Sequence, residues 1–433
     1  MKRFSVVLML CFVLILSACA NKTEKTEKTE EERNIVKMWV QTSKEEPEGK
    51  VMQKTVDRFN EVYAGQYKAV IEFIPRSGSG GGYEDKINAA ITTNTLPDVI
   101  TLDGPNTAAY AKAGAIAPID DYITDQEDFL PSIIAQGTYD DHLYAIGYSE
   151  SGVGIYYNEK MLEEAGIDLN ELPTVDDPWD WNEFSALLEN LQKTYGGPVV
   201  DMGFNDKSEW LMYAFAPFLW SEGGEIVSED GKHAVGVFND EKALTTMMFI
   251  QSLIQNEYST ISPSENGFET GKYPLKFSGS WTMQVLEENY ADVAYGIMPY
   301  PTSPNSQELV SPSGSWEYAM SGTTEKNEAA GKLIDFMVST EATADISLGN
   351  SVLPPRYSTI EKIEDEVSPQ MQVLIEQNTK TGKARPVIPE YPQITRAFQQ
   401  TISDVVYFDS KKDVQKLLDQ KAKQMQNAMD LSK

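Results

Sequence analysis

Past residue 19 this 433-residue chain contains no cysteine; its two cysteines, Cys11 and Cys19, both lie within the first nineteen positions. Those positions read as an export signal. Lys2 and Arg3 precede an unbroken apolar run over 6–16, and small residues, Ser17 and Ala18, follow it. The run is too short for a bilayer span, which needs about 20 apolar residues. An exported chain meets an oxidising compartment, yet the segment beyond residue 19 has no thiols to pair. Its fold must therefore rest on core burial alone. The composition allows this: 41% of residues are hydrophobic and 24% charged, a normal globular balance, with length for two core-bearing lobes.

Charge and side-chain inventory exclude several classes of function. The formal net charge is -30, and removal of 1–18 takes away only Lys2 and Arg3, leaving -30 - 2 = -32. Nucleic acid is not an expected partner, because phosphate recognition needs clustered Lys and Arg. With only His142 and His233, a zinc site or a histidine-based triad is poorly supplied. No acidic loop with regular calcium-ligand spacing occurs. No cofactor and no metal ligand are assigned.

The stretch Leu16-Ser17-Ala18-Cys19 is more specific than a generic signal. It resembles the lipobox of bacterial lipoproteins, which implies cleavage before Cys19 and a lipid on its sulfur. Residues 1–18 are then a signal peptide, and 19–33 a lipidated cysteine and tether. The tether repeats Lys-Thr-Glu and has almost nothing apolar to offset its ordering entropy, so disorder is expected. At ~3.5 Å per residue its fourteen residues after Cys19 reach at most ~50 Å from a membrane.

Beyond the tether the pattern is α/β. The apolar, β-branched run 35–40 predicts a strand; Met52, Val56, Phe59 and Tyr63 share a helical face; 69–74 and 96–102 predict two further strands. Strand, helix, strand, helix, strand is the order of a parallel sheet covered by helices. Between them, Ser77-Gly78-Ser79-Gly80-Gly81-Gly82 lacks the Gly-Lys-Ser/Thr of a phosphate cradle and reads as a mobile linker. Later helices are marked by Phe184, Leu187, Leu188 and Leu191, by Ala329, Leu333, Phe336 and Met337, and by Val414, Leu417 and Leu418.

A series of short motifs then falls in one order: Pro97-Asp98-Val99-Ile100, Gly114 through Asp120, 143–165, Trp181-Asn182-Glu183-Phe184, Glu222-Gly223-Gly224, Gly279-Ser280-Trp281, Tyr295 through Pro301, 326–338, and Leu353-Pro354-Pro355-Arg356. Together they resemble the carbohydrate-binding group of extracellular solute-binding proteins of ABC importers, which includes maltose-binding protein. One departure is Tyr273-Pro274-Leu275-Lys276-Phe277, where that group has Gly-x-x-Ala-Met, so the local shape of the strand there is open. The resemblance implies a two-lobed, periplasmic-binding-protein-like fold with a hinge and a cleft between lobes. Lobe one would be 33–148 plus 317–341; lobe two, 149–316 plus 342–433. It implies a carbohydrate ligand trapped by lobe closure, membrane permease subunits as partners, an extracytoplasmic location, a monomer, and no enzymatic activity.

Sugar binding wants aromatic platforms and planar polar groups at ring edges. Trp281 matches the stacking aromatic of Gly-x-Trp, and Trp316 likewise follows a Gly-Ser; Gly279 and Gly314 suit close backbone approach. Trp39 ends the first strand, where open α/β sheets place ligands, although a core role is an equal reading. Trp181, opening an amphipathic helix, reads as structural. Trp210 and Tyr213 lie in a segment, 209–220, that matches a ligand-lining stretch loosely. Asp103 sits in the loop after the third strand, as a sugar acceptor or as a cap for the helix after it. Glu150 and Ser151 lie where the chain crosses between lobes, and Glu317 and Arg356 near later crossings. Arg385 either bridges ligand to lobe two or forms a salt bridge.

Two other functions compete. A receptor for glycerol-3-phosphate or a related polyol phosphate would use Arg356 or Arg385, against long-range repulsion from the acidic chain. A surface glycosidase would need two carboxylates about 5–10 Å apart, and no motif selects such a pair among 66 acidic residues.

Overall fold

A computed structural model describes residues 34–76, 82–408 and 410–431. The signal, Cys19, the tether and most of the Gly-Ser loop lie outside the described residues. Among those described, no helix is long and apolar enough to cross a membrane.

Two sheets organise the chain. The first runs Lys68–Phe73, Ile35–Val40, Val99–Asp103, Trp316–Ser321, Ile116–Ala117, with Ala145–Gly147 also paired to Trp316–Ser321. The three N-terminal strands are mutually parallel, as strand–helix alternation requires, and Trp316–Ser321 returns antiparallel. The third strand starts after Pro97, which has no N–H to give a ladder. Asp98 instead accepts from Lys37 N at 2.8 Å and Lys326 Nζ at 3.0 Å, tying the sheet's lower edge. The second sheet runs Tyr295–Met298, Val153–Asn158, Leu275–Gly279, Val200–Asp201. Tyr273 and Pro274 precede its strand Leu275–Gly279, so the unusual motif there still enters a regular ladder.

Each sheet has its own core. Val36, Met38, Phe59, Leu333 and Ile334 are buried around the first. Phe184, Leu188, Phe218, Phe277, Phe398 and Leu418 are buried around the second. Full burial of such side chains is worth about 1.5–3 kcal/mol each, so each lobe is held without cross-links. Trp181 belongs to the second core, stacked on Phe249 with centroids 4.5 Å apart. Asp180 caps its helix, Trp181–Tyr195, in a reciprocal box with Glu183.

The lobe boundary set at 341/342 needs correction. Helix Thr340–Asn350 packs on helix Pro47–Val62, and Ile346 is buried in the first core. Its apolar face is complementary to lobe one, so the chain leaves that lobe only after residue 350.

The chain passes between the sheets at 148–152, at 299–315 and again near 353. These passages are bonded together. Glu150 and Leu353 exchange backbone hydrogen bonds of 2.7 Å in both directions. Ser311–Ser313 pairs in parallel with Gly382–Ala384.

Candidate functional site

The space between the sheets is divided into two adjoining cavities that share Arg76, Ser151, Trp281, Gly314 and Trp316. One, of about 380 Å³, is closed by Gln41, Thr42, Glu46 and Glu48 of the first lobe. The other, of about 330 Å³, is closed by Asp103, Glu209, Trp210, Tyr213 and Arg385.

Trp281 opens the helix Trp281–Asn289 directly after Leu275–Gly279 and remains 46% exposed. Trp210, at the start of Trp210–Ser221, meets it edge to face at 6.0 Å and 78°. The Trp210 indole N–H donates to Met202 O at 3.1 Å. The rest of that helix is buried in the second core, Pro217 included. Trp316 begins a strand in register with Asp103, and the Arg76 guanidinium lies 4.4 Å from its ring centroid. One face of that indole is thus covered.

Glycine makes these placements. A Cβ on Gly279 would lie 2.1 Å from the Trp281 ring; on Gly203, 2.5 Å from Trp210 Nε1; on Gly314, 2.4 Å from the Tyr213 ring. The close approach expected at Gly279 and Gly314 is therefore made by the chain's own aromatic rings. Gly279 itself ends a strand rather than sitting in a loop.

Arg385 joins the lobes. It donates from Nη2 to Asp103 Oδ1 at 3.1 Å and from Nη1 to Glu209 Oε1 at 2.9 Å, with its guanidinium 5.2 Å from the Tyr213 centroid. Glu209 also accepts from Tyr391, Thr395 and Gln399. Burial pushes the Glu209 carboxyl up, against the pull of Arg385. Asp103 makes no side-chain cap to the turn after it, so its carboxylate is turned to Arg385 and the cleft.

Four expected residues are not exposed in this cleft. Glu317 is fully buried. It accepts from Thr107 Oγ1 at 2.9 Å, and desolvation raises it from 4.5 to about 8. Glu150 is likewise buried, accepting from Ser313, from Gly314 N at 2.5 Å and from Ser151 N at 2.9 Å. Desolvation outweighs those donors and raises it to about 7. It braces the passages between lobes. Arg356 donates to Asp128 Oδ2 at 2.6 Å and Val338 O at 2.8 Å and lies 4.6 Å from the Phe129 centroid, clasping its own passage to lobe one. Trp39 carries Lys86 at 4.2 Å and packs with the first lobe's upper cluster. Ser151 does reach the cavities, though its hydroxyl donates to Gly314 O at 2.6 Å and lies 2.9 Å from the Tyr213 hydroxyl.

Arg76, Asp206 and Glu209 were not singled out from the sequence. Arg76 follows a parallel strand, the same topological signal that drew attention to Trp39. Glu209 carried no signal beyond its place before Trp210. Among the described residues, no group of three or more His, Cys, Asp or Glu is placed to hold a metal.

This architecture matches solved proteins closely enough to fix the fold. The cyclic alpha-maltosyl-1,6-maltose binding protein of Arthrobacter globiformis superimposes with a TM-score of 0.79 at 21% identity, over 91% of this chain and 99% of that one. UgpB of Mycobacterium tuberculosis, in complex with glycerophosphocholine, gives 0.74 at 20% identity, over 92% and 98%. In sequence, the diacetylchitobiose binding protein DasA of Streptomyces coelicolor is 24% identical over 324 residues, 72% of each chain. The sequence model of the bacterial extracellular solute-binding proteins matches residues 43–344, and the chain belongs to that family.

Proposed function

We propose that this protein is the lipid-anchored substrate-binding component of an ABC sugar importer, capturing a mono- or oligosaccharide by lobe closure. The observation that carries the reading is the half-exposed indole of Trp281, set edge to face with Trp210 in a polar cleft between two lobes. An apolar face framed by hydroxyl and carboxylate groups suits a pyranose, whose faces are C–H and whose rim is hydroxyl. The names of relatives that bind diacetylchitobiose and cyclic maltosyl-maltose point the same way.

A polyol phosphate, suggested by the glycerophosphocholine complex, is supported less. Arg385 is already engaged by Asp103 and Glu209. Arg76 is the other arginine lining the cavities, and it lies over Trp316 with Glu84 4.0 Å away. Glu46, Asp103 and Asp206 line the cavity walls with acidic groups, beside Glu48 and Glu209, whose carboxyls burial pushes up. A thermal-shift screen over mono- and oligosaccharides, with glycerol-3-phosphate and glycerophosphocholine alongside, tests the choice, because ligands specific for the folded state raise its melting temperature. A shift by neutral sugars alone is expected. A shift by phosphates alone would overturn the sugar reading.

A further inference from the structure

A third cavity, of about 320 Å³, is also lined by Trp281. It shares Asp206, Trp210 and Trp281 with one inter-lobe cavity and Trp281 with the other, so it adjoins both at that indole. Unlike the other two it is built from lobe two alone. Its lining comes from Lys276, Phe277 and Ser278 of the strand Leu275–Gly279, from Asp201 and the 203–210 segment, and from the loop 263–266. Its shape therefore does not depend on where lobe one stands.

The chemistry of this cavity is defined. Trp210 and Trp281 give it aromatic walls. Asn205 and Asn266 contribute amides, and Asp201, Asp206 and Glu265 carboxylates. Its one cation, Lys276, is bound to Glu269 at 2.5 Å. Hydroxyl donors are suited to such a wall; phosphate or uronate groups would be repelled. Each of the three cavities is at the low end of the ~300–1,000 Å³ typical of small-molecule clefts, and a single sugar ring seated in one of them would leave its neighbours empty.

Resting on the carbohydrate reading, we infer that this cavity is an outer subsite for the same ligand, and that the substrate class is a neutral oligosaccharide running past the edge of Trp281. A preformed subsite on one lobe would seat one end of the chain before closure buries the other end.

The test measures affinity of the soluble mature protein for malto-, cello- and chito-oligosaccharides of two to six rings. Glu265→Ala truncates the cavity wall, and Asn205→Tyr fills it. Both positions are exposed, and unchanged melting checks that the variants fold. In the series that binds, affinity should rise at least tenfold between two and four rings. Both variants should erase that rise and leave disaccharide affinity within twofold. Flat length dependence in the wild type, or a length preference kept by both variants, overturns the subsite while leaving the sugar reading standing. No binding by any of these glycans in the wild type overturns the subsite, and removes the sugar reading as well if the thermal-shift screen over mono- and oligosaccharides is also blank.

Discussion

The indole of Trp281 occupies the position a side chain on Gly279 would need: a Cβ there would meet ring carbons at 2.1, 2.2 and 2.5 Å. The strand end and the first residue of the next helix thus fix the ring against backbone, with few rotamers to lose when a ligand arrives. Trp281→Ala should weaken sugar affinity by roughly 1–3 kcal/mol, the scale of losing an aromatic anchor. Its melting temperature should barely change, since the ring is half exposed. A core tryptophan would instead cost about 3–5 kcal/mol of stability. Calorimetry of binding and unfolding on the same variant separates the two.

Gly279→Ala tests the placement rather than the ring. The added methyl must displace the indole or the strand, so affinity should fall although Trp281 is still present. Intrinsic tryptophan fluorescence should shift even without ligand. Wild-type affinity in a folded Gly279→Ala protein would show that the ring's observed position is not required.

Much of the fold was legible from periodicity, and the limits of that legibility are physical. The runs at 35–40 and 414–418 identify buried faces because strand and helix repeats differ. The lobe boundary was missed because Thr340–Asn350 is only weakly amphipathic; its partner helix lies almost 300 residues earlier in the chain. Within the site, adjacent residues of a strand face opposite sides. Trp316 lines the cleft, so Glu317 had to point away, into the buried space beneath Gly104 and Thr107. Once the strand Trp316–Ser321 is known and Trp316 is placed in the cleft, that exclusion follows from strand alternation alone. Arg356 is different. Its clasp on Asp128, 228 positions away, and on the neighbouring Phe129 is not revealed by local sequence.

Arg385→Ala should destabilise the protein. It would leave Asp103 and Glu209 without their shared cation, and only 3% of the Arg385 side chain is exposed while 24% and 29% of the carboxylate side chains are. Removing one partner of a fully buried pair costs about 3–5 kcal/mol; partial exposure should lower this to about 2–3 kcal/mol. Lysine should not restore the loss, because a point charge cannot reach both carboxylates as a planar fork does. Urea unfolding of both variants measures it.

Membrane attachment should depend on Cys19. Under the proposed anchoring, diacylglycerol on its sulfur with a further acyl chain on its amine would supply the two or more lipid signals that stable attachment needs. Cys19→Ala should release the protein to the medium or leave it unprocessed, with loss of labelled palmitate. A cleaved variant that still fractionates wholly with membranes would refute the anchor.

The two buried carboxylates predict an unusual pH profile. Glu317 rises to about 8 and Glu150 to about 7 on folding, both chiefly because burial disfavours the charged form. A carboxyl whose pKa is higher folded than unfolded binds more protons in the native state between the two values. Stability therefore falls as pH rises, by at most ~1.4 kcal/mol per pH unit for each group. The window opens near the ordinary value of 4.5 and closes near 7 for Glu150 and near 8 for Glu317. The contribution of this pair should thus be greatest at the acid side of the window and smallest at pH 8. Glu317→Gln keeps an acceptor for Thr107 but cannot ionise, so it should flatten the slope between pH 5 and 8. At pH 8 the variant should lose less stability relative to pH 5 than the wild type does. Denaturation at a series of pH values compares the slopes. Parallel slopes in the two proteins would mean that Glu317 already ionises near 4.5 despite its burial.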